Sequence, residues 1–261
     1  MLTLALDTTT KAGSVAVMRG AQLLAVMHGD ATRTHGERLP DEIERAMVAA
    51  GVTPGALQLL AVASGPGAFT GLRIGLAAIQ GLAMVIGCPV VGVSALDALA
   101  AAVLEEMDPR VRAVATWMDA QRGEVYAALY RRDQQDAGPP RAESGPVVSA
   151  PAVVLAAMAA DLAGHTRFVG DGALRYLDDV ASFSVDGTSD ARSAGALAPY
   201  IARIGQQLAA RGHAGPPHTL QPLYVRRPDA ELERLRKPST PSTPSGPSLP
   251  STPSTPSRDQ S

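Results

Sequence analysis

The chain opens on an alternation. Leu2, Leu4 and Leu6 fall on one side of an extended segment and Thr3 and Ala5 on the other, which is the period of a β-strand. Two more apolar runs follow, Ser14-Val15-Ala16-Val17-Met18 and Leu23-Leu24-Ala25-Val26-Met27. Turn residues at Lys11-Ala12-Gly13 and Arg19-Gly20 separate them, so the spacing predicts an antiparallel meander. The period then changes. Leu39, Ile43, Ala46, Met47 and Ala50 share a helical face, predicting a helix over 37–50 that Gly51 stops. Leu59-Leu60-Ala61-Val62-Ala63 is a short run of buried-strand type. It ends in Ser64-Gly65-Pro66-Gly67, from which a long helix is expected from near Gly71 to Ile86. Pro89-Val90-Val91-Gly92-Val93 reads as another buried strand, and Ser94 is placed to cap a helix over 95–107 with Asp97 in its first turn.

The second half starts again with strands, over 111–118 and 123–130, joined by Asp119-Ala120-Gln121-Arg122. A Gly/Pro-rich break at 138–146 precedes a helix over 152–162, a strand over 166–170, a short helix after Asp171-Gly172 and a helix over 194–210. The pattern predicts α/β subdomains at 1–107 and 108–228, without detectable sequence repetition between them. Beyond them, prolines recur at every third position from Pro238 to Pro256, with Ser and Thr between nearly all of them. That is the period of polyproline II, and with few apolar residues to bury, 229–261 is expected to be a disordered tail.

Composition narrows the picture modestly. With 46% hydrophobic and 18% charged residues the chain is of ordinary globular type, and aromatic residues are only 3%, so Ala, Val, Leu and Ile must build the core. The single cysteine, Cys88, lies in an apolar run and is expected to be a buried packing residue in a reducing setting. A net charge of −2 supplies no bulk field for an RNA backbone. No charged leader is read before Leu2, and no apolar stretch is read as reaching the roughly 18–20 charge-free residues of a bilayer span. A cytoplasmic protein without a membrane partner is expected.

The segment with most chemical content is Ser64-Gly65-Pro66-Gly67-Ala68-Phe69-Thr70-Gly71-Leu72-Arg73-Ile74-Gly75. It reads as a strand, a glycine-rich turn and a helix N-terminus, with Thr70 a candidate cap. Such a turn could gather backbone N–H groups on an anion at the positive end of the helix; it could equally be a tight connection that binds nothing. It lacks the Gly-Lys-Ser/Thr of a Walker loop and the Gly-x-Gly-x-x-Gly spacing of a dinucleotide fold.

This segment closely resembles the Gly-Pro-Gly-Ser-Phe-Thr-Gly-Leu-Arg-Ile-Gly signature of the TsaB (formerly YeaZ) family, with Ala68 in place of the serine. The opening Leu6-Asp7-Thr8-Thr9 with Gly13-Ser14-Val15-Ala16 is similar to the family's start. So are His35-Gly36-Glu37-Arg38-Leu39, Gly92-Val93-Ser94-Ala95-Leu96, the stretch from Met118 to Tyr126, and the closing Pro222-Leu223-Tyr224-Val225-Arg226. Gly36 stands where a serine is common. The resemblance implies an α/β fold of the actin, heat-shock chaperone and sugar-kinase (ASKHA) type, two related subdomains around a cleft. It also implies a glycoprotease-like subunit that binds the paralogue TsaD, with the ATPase TsaE, for threonylcarbamoyl transfer to the adenosine 3′ to the anticodon of tRNA. Transfer RNA would be reached only through the complex, and the same helices could serve a homodimer.

No chemistry of its own is expected. The paralogue's metal pair of histidines one helical turn apart has no counterpart among His28, His35, His165, His213 and His218, and neither His-Glu-x-x-His nor Gly-x-Ser-x-Gly is present. No catalytic residue, metal site or cofactor is therefore assigned. A nucleotide at the partner interface stays open, through Asp7, Thr8, Gly65, Gly67, Phe69, Thr70, Gly71 and Arg73. Asp7 could orient a magnesium-bound water or make an Asx turn. Leu39, Ile43, Met47, Leu72, Leu76 and Ile79 are the candidate partner anchors, although half of them could instead face this chain's own core. The alternative function is a stand-alone hydrolase or nucleotide-using enzyme of the same fold.

Overall fold

The computed structural model describes residues 1–104, 111, 113–131, 139–159, 166–181, 183 and 195–226. The proline-rich tail, the far ends of the helices expected at 95–107 and 152–162, and residue 194 lie outside the described residues; the helix expected at 194–210 starts only at Ala198, after non-helical residues 195–197. Three strands, β1 (Leu2–Asp7), β2 (Ser14–Arg19) and β3 (Gln22–His28), form the expected meander. After helix α1 (His35–Ala50), strand β4 (Leu59–Gly65) adds parallel to β1. Helix α2 (Phe69–Ile86) then leads to β5 (Val90–Ser94), parallel to β4, and α3 (Ala95–Leu104) follows. The sheet order is β3-β2-β1-β4-β5.

The second half repeats this order of elements. Strands β6 (Ala113–Asp119), β7 (Val125–Arg131) and β8 (Ala142–Ser149) are antiparallel neighbours, α4 (Pro151–Met158) follows, and β9 (Thr166–Val169) adds parallel to β6. The sheet runs β8-β7-β6-β9. Short helices α5 (Asp171–Arg175) and α6 (Leu177–Ala181) come next, and α7 (Ala198–Ala210) returns to the first sheet. The repetition the sequence hides is plain in the topology.

Alternation decides which layer each side chain enters. Leu2, Leu4 and Leu6 pack with Leu39, Leu76 and Ile79 beneath α1 and α2, while Ala5 faces the opposite side, with Ala198, Ile201 and Ala202 of α7. In the second sheet Ala113, Ala115 and Trp117 pack against α4 to α6, and Val114 and Met118 join the core that holds α3 and α7. Both faces of both sheets are thus covered, and one core runs between the halves. Small residues permit the close layers: a Cβ on Gly205 of α7 would lie 2.8 Å from that of Ala61.

Three expectations are corrected. The stretch 138–146 is not simply a break, because β8 occupies Ala142–Ser149. An edge strand tolerates Pro146, which a central strand would not. Thr70 does not cap α2: the helix starts at Phe69, and the cap position is Ala68, which has no side chain to offer. Residues 74–96 in fact carry no charge, and among the described residues α2 is the one helix long and apolar enough to cross a membrane. Gly87 ends that helix in a left-handed conformation, and Leu72, Leu76, Ile79 and Ala83 bury one of its faces within the fold.

Candidate functional site

The loop after β1 is held by its own side chains. Asp7 is buried, and its Oδ1 accepts hydrogen bonds from the Thr9 amide (2.8 Å) and hydroxyl (2.6 Å) while Oδ2 accepts from the Thr10 hydroxyl (3.3 Å). This is an Asx turn, the second of the two roles open to Asp7. Burial pushes the carboxyl's pKa up, against the pull of the threonine hydrogen bonds. His35 reinforces the loop from α1. Its Nε2 lies 2.9 Å from the Thr10 carbonyl and its Nδ1 2.9 Å from the Arg38 guanidinium. A carbonyl only accepts and a guanidinium only donates, so the ring is the neutral Nε2–H tautomer. Desolvation is the main reason that the His35 pKa is lowered. Arg38, 2% exposed, also donates to the carbonyls of Lys11 and Ala12 and pairs with Glu42 at 2.6 Å. Sequence reasoning missed this pair; its signal was an Arg and a Glu four apart beside Leu39.

Each glycine of the signature segment is filled by this chain's own atoms. A Cβ on Gly67 would lie 2.6 Å from Thr9 Cβ, one on Gly71 2.3 Å from the Thr8 carbonyl, and one on Gly75 2.2 Å from Thr8 Oγ1. Gly65, at φ 131°, would drive a Cβ to 2.4 Å from the Leu223 carbonyl. Three glycines let α2 close on the threonine loop, and the fourth makes room for the closing segment. Of the residues expected at a nucleotide loop, Asp7, Thr8, Gly65 and Gly71 are buried, Gly67 is half-buried, and Phe69, Thr70 and Arg73 are exposed. The close approaches account for the glycines without an anion.

The expected partner anchors divide sharply. Leu39, Leu72, Leu76 and Ile79 are buried at 5% exposure or less, and Ile43 and Met47 pack partly buried against the same core. A docking surface built on those four leucine and isoleucine side chains is therefore corrected: they hold α1 and α2 to the sheet. The outward face of α2 carries Arg73, Ala77, Gly81, Met84 and Val85, one stripe at helical spacing. Met84 is 77% and Val85 85% exposed. Gly81 differs from its neighbours in the signature, because a Cβ there would meet nothing within 4 Å. The outward face of α1 is more polar, with Glu37, Asp41, Glu44 and Arg45 exposed beside Val48.

The closing segment runs along α2. Gln80 donates to the carbonyls of Pro217 (3.0 Å) and Leu220 (3.2 Å), and the Leu223 amide donates to Ser64 (2.7 Å). Tyr224 stacks on Phe69 at 5.5 Å and accepts a hydrogen bond from Arg73, whose guanidinium lies 3.9 Å from the Phe69 ring centre. Arg226 then reaches the β6–β7 hairpin, donating to the Ala120 carbonyl at 2.8 Å and pairing with Glu124. That hairpin turns on Gln121 and Arg122, both left-handed. Among the described residues no three of His, Cys, Asp and Glu group to hold a metal ion.

The family model for TsaD, tRNA N6-adenosine threonylcarbamoyltransferase, matches residues 26–176. An uncharacterized protein of Mycobacterium tuberculosis is 32% identical over 87% of this chain and 93% of its own length. The solved YeaZ from Pseudomonas aeruginosa superposes with a TM-score of 0.71 at 30% identity, covering 85% of this chain and 99% of that one. The chain belongs to the TsaB family. The Escherichia coli tRNA threonylcarbamoyladenosine biosynthesis protein TsaB is 36% identical over 51% of this chain and 57% of its own length. The family's ASKHA-type architecture agrees with the two sheets and their repeated topology. Its signature segment falls, in this chain, on the loop and helix whose packing is described above.

Proposed function

We propose that this chain is a non-catalytic subunit in the biosynthesis of threonylcarbamoyladenosine in tRNA. It binds a TsaD-type paralogue through the outward face of α2 and, with a TsaE-type ATPase, enables that paralogue to transfer the threonylcarbamoyl group to the adenosine 3′ to the anticodon. Transfer RNA meets this chain only within that complex. The observation that carries the reading is Gly81. A glycine inside a helix costs about 1 kcal/mol relative to alanine, and this one relieves no contact within the chain. Between Ala77 and exposed Met84 and Val85, it leaves a shallow seat where another helix can come close. The Asx-turn role of Asp7 and the internal filling of the signature glycines also favour a structural part for the segment over a chemical one. If a nucleotide joins the interface, the exposed residues Ala68, Phe69 and Thr70 are where this chain can meet it.

The test is binding of the purified paralogue, measured by calorimetry, to the parent chain and to Val85→Glu. The face must supply roughly 800 Å² for a specific complex, and a charge at Val85, its most exposed apolar side chain, should abolish binding while the fold persists. Undiminished binding by V85E would reject this placement. A second reading has one observation behind it: a Pseudomonas aeruginosa structure with a TM-score of 0.72 and 30% identity is described as similar to the peptidase YeaZ. Turnover of a peptide by the isolated chain would favour that reading instead.

A further inference from the structure

The segment after α7 touches both halves of the fold, and its contacts are of a kind that can transmit a change. At one end Gln80 holds Pro217 and Leu220, Ser64 holds Leu223, and the Phe69–Arg73 pair holds the Tyr224 ring. At the other end Arg226 grips the Ala120 carbonyl and the Glu124 carboxylate on the β6–β7 hairpin. Val225, between the ends, packs against the core shared by the two halves. Tyr224 is 36% and Phe69 42% exposed, and Arg73 heads the outward stripe of α2. The segment therefore contributes an aromatic ring to the first turn of the proposed partner face, and holds that ring in place from a clamp on the other half.

We infer that residues 217–226 are a strap that makes the α2 face complete only while Arg226 is seated on the β6–β7 hairpin. The second half of the molecule then has a definite part in partner binding: it anchors the strap. The coupling runs both ways, so a partner that closes on Tyr224 and Phe69 must also tighten the hairpin. Gly65 supports the assignment. Its left-handed backbone has no room for a side chain because the strap's Leu223 carbonyl lies against it.

The inference rests on the partner reading above, and two readouts keep the two apart. In the full chain alone, Arg226→Ala removes only the far clamp. Hydrogen exchange should rise about tenfold at the Leu223 amide and through residues 65–70, since a charge-assisted hydrogen bond lost from the clamp favours opening by that order. Glu124→Ala reaches the clamp from the hairpin side and should reproduce the effect. Faster exchange confined to residues 120–124 in both variants would overturn the strap. In calorimetry with the paralogue, R226A should bind about tenfold more weakly than the parent while V85E does not bind. If R226A binds like the parent and V85E fails, the strap's part in binding falls and the face stands. If V85E binds like the parent, the face itself falls and takes that part of the strap with it.

Discussion

The two faces of α2 are made of similar residues, yet one is buried in the fold and the other is exposed. Inward, Gly71, Leu72, Gly75, Leu76, Ile79 and Ala83 are buried, and two of these glycines bring the helix into contact with Thr8. Outward, Ala77, Gly81, Met84 and Val85 are equally apolar or small, and exposed. Apolarity alone does not tell a helix which side its partner is on. The difference lies in what each small residue is small for: Gly75 has Thr8 Oγ1 in the place of its missing Cβ, and Gly81 has open space.

The largest effect should come from the inward face. Ile79→Ala empties a fully buried site and should cost about 2–5 kcal/mol by denaturant titration, and binding of the paralogue should suffer with it. Gly75→Ala comes next. Its new methyl group collides with Thr8, and about 1–3 kcal/mol should be lost to overpacking. A neutral result at Gly75 would mean that the threonine loop yields easily, and the contrast between the faces would blur.

Substitutions on the outward side and at the cap should go the other way. Gly81→Ala should stabilise the free chain by up to about 1 kcal/mol through helix propensity, and weaken paralogue binding through the added methyl group. Stabilisation with unchanged binding would leave Gly81 without a role. Ala68→Ser restores an oxygen at the extended cap position of α2 and should add about 1 kcal/mol, measured as a raised Tm. The smallest effect is a pH dependence at the edge of the inward face, where His35 lies beside Gly71 and the threonine loop. Its pKa is held below 6.5, so as the pH falls past that value the unfolded chain takes up a proton first and stability declines until the folded ring is protonated too. Asp7, raised by burial, acts with the opposite sign in the carboxylate range: there the folded chain protonates first and stability gains. His35→Gln keeps a donor for Thr10 and an acceptor for Arg38 without titrating. Its Tm should fall less than the parent's between about pH 7 and pH 5.

The elements were mostly legible in the sequence, because alternation and helical spacing are local. Leu2, Leu4 and Leu6 announced a strand, though not that both of its faces are buried, and Ser64 to Gly75 announced a strand, a turn and a helix. β8 was hidden because Gly145 and Pro146 read as a break, which an edge strand can absorb. The site was less legible for a different reason. Leu72, Leu76 and Ile79 were visible as apolar residues, but apolar residues recur on both faces of α2, and only Arg73 at its start marked the stripe left exposed. The purpose of Gly65, Gly67 and Gly71 depends on Leu223, Thr9 and Thr8, which only the fold brings near. The same holds for Arg226 and Glu124, 102 positions apart in sequence.

On the proposed reading, this molecule gives a surface to another subunit and performs no reaction itself. The direct measurement is threonylcarbamoyl transfer to tRNA by the purified paralogue and TsaE-type ATPase, with and without this chain. Modified adenosine should form only when this chain is present, with none from this chain alone and none when V85E replaces it. Modification at full rate without this chain, or any turnover by this chain in isolation, would contradict it.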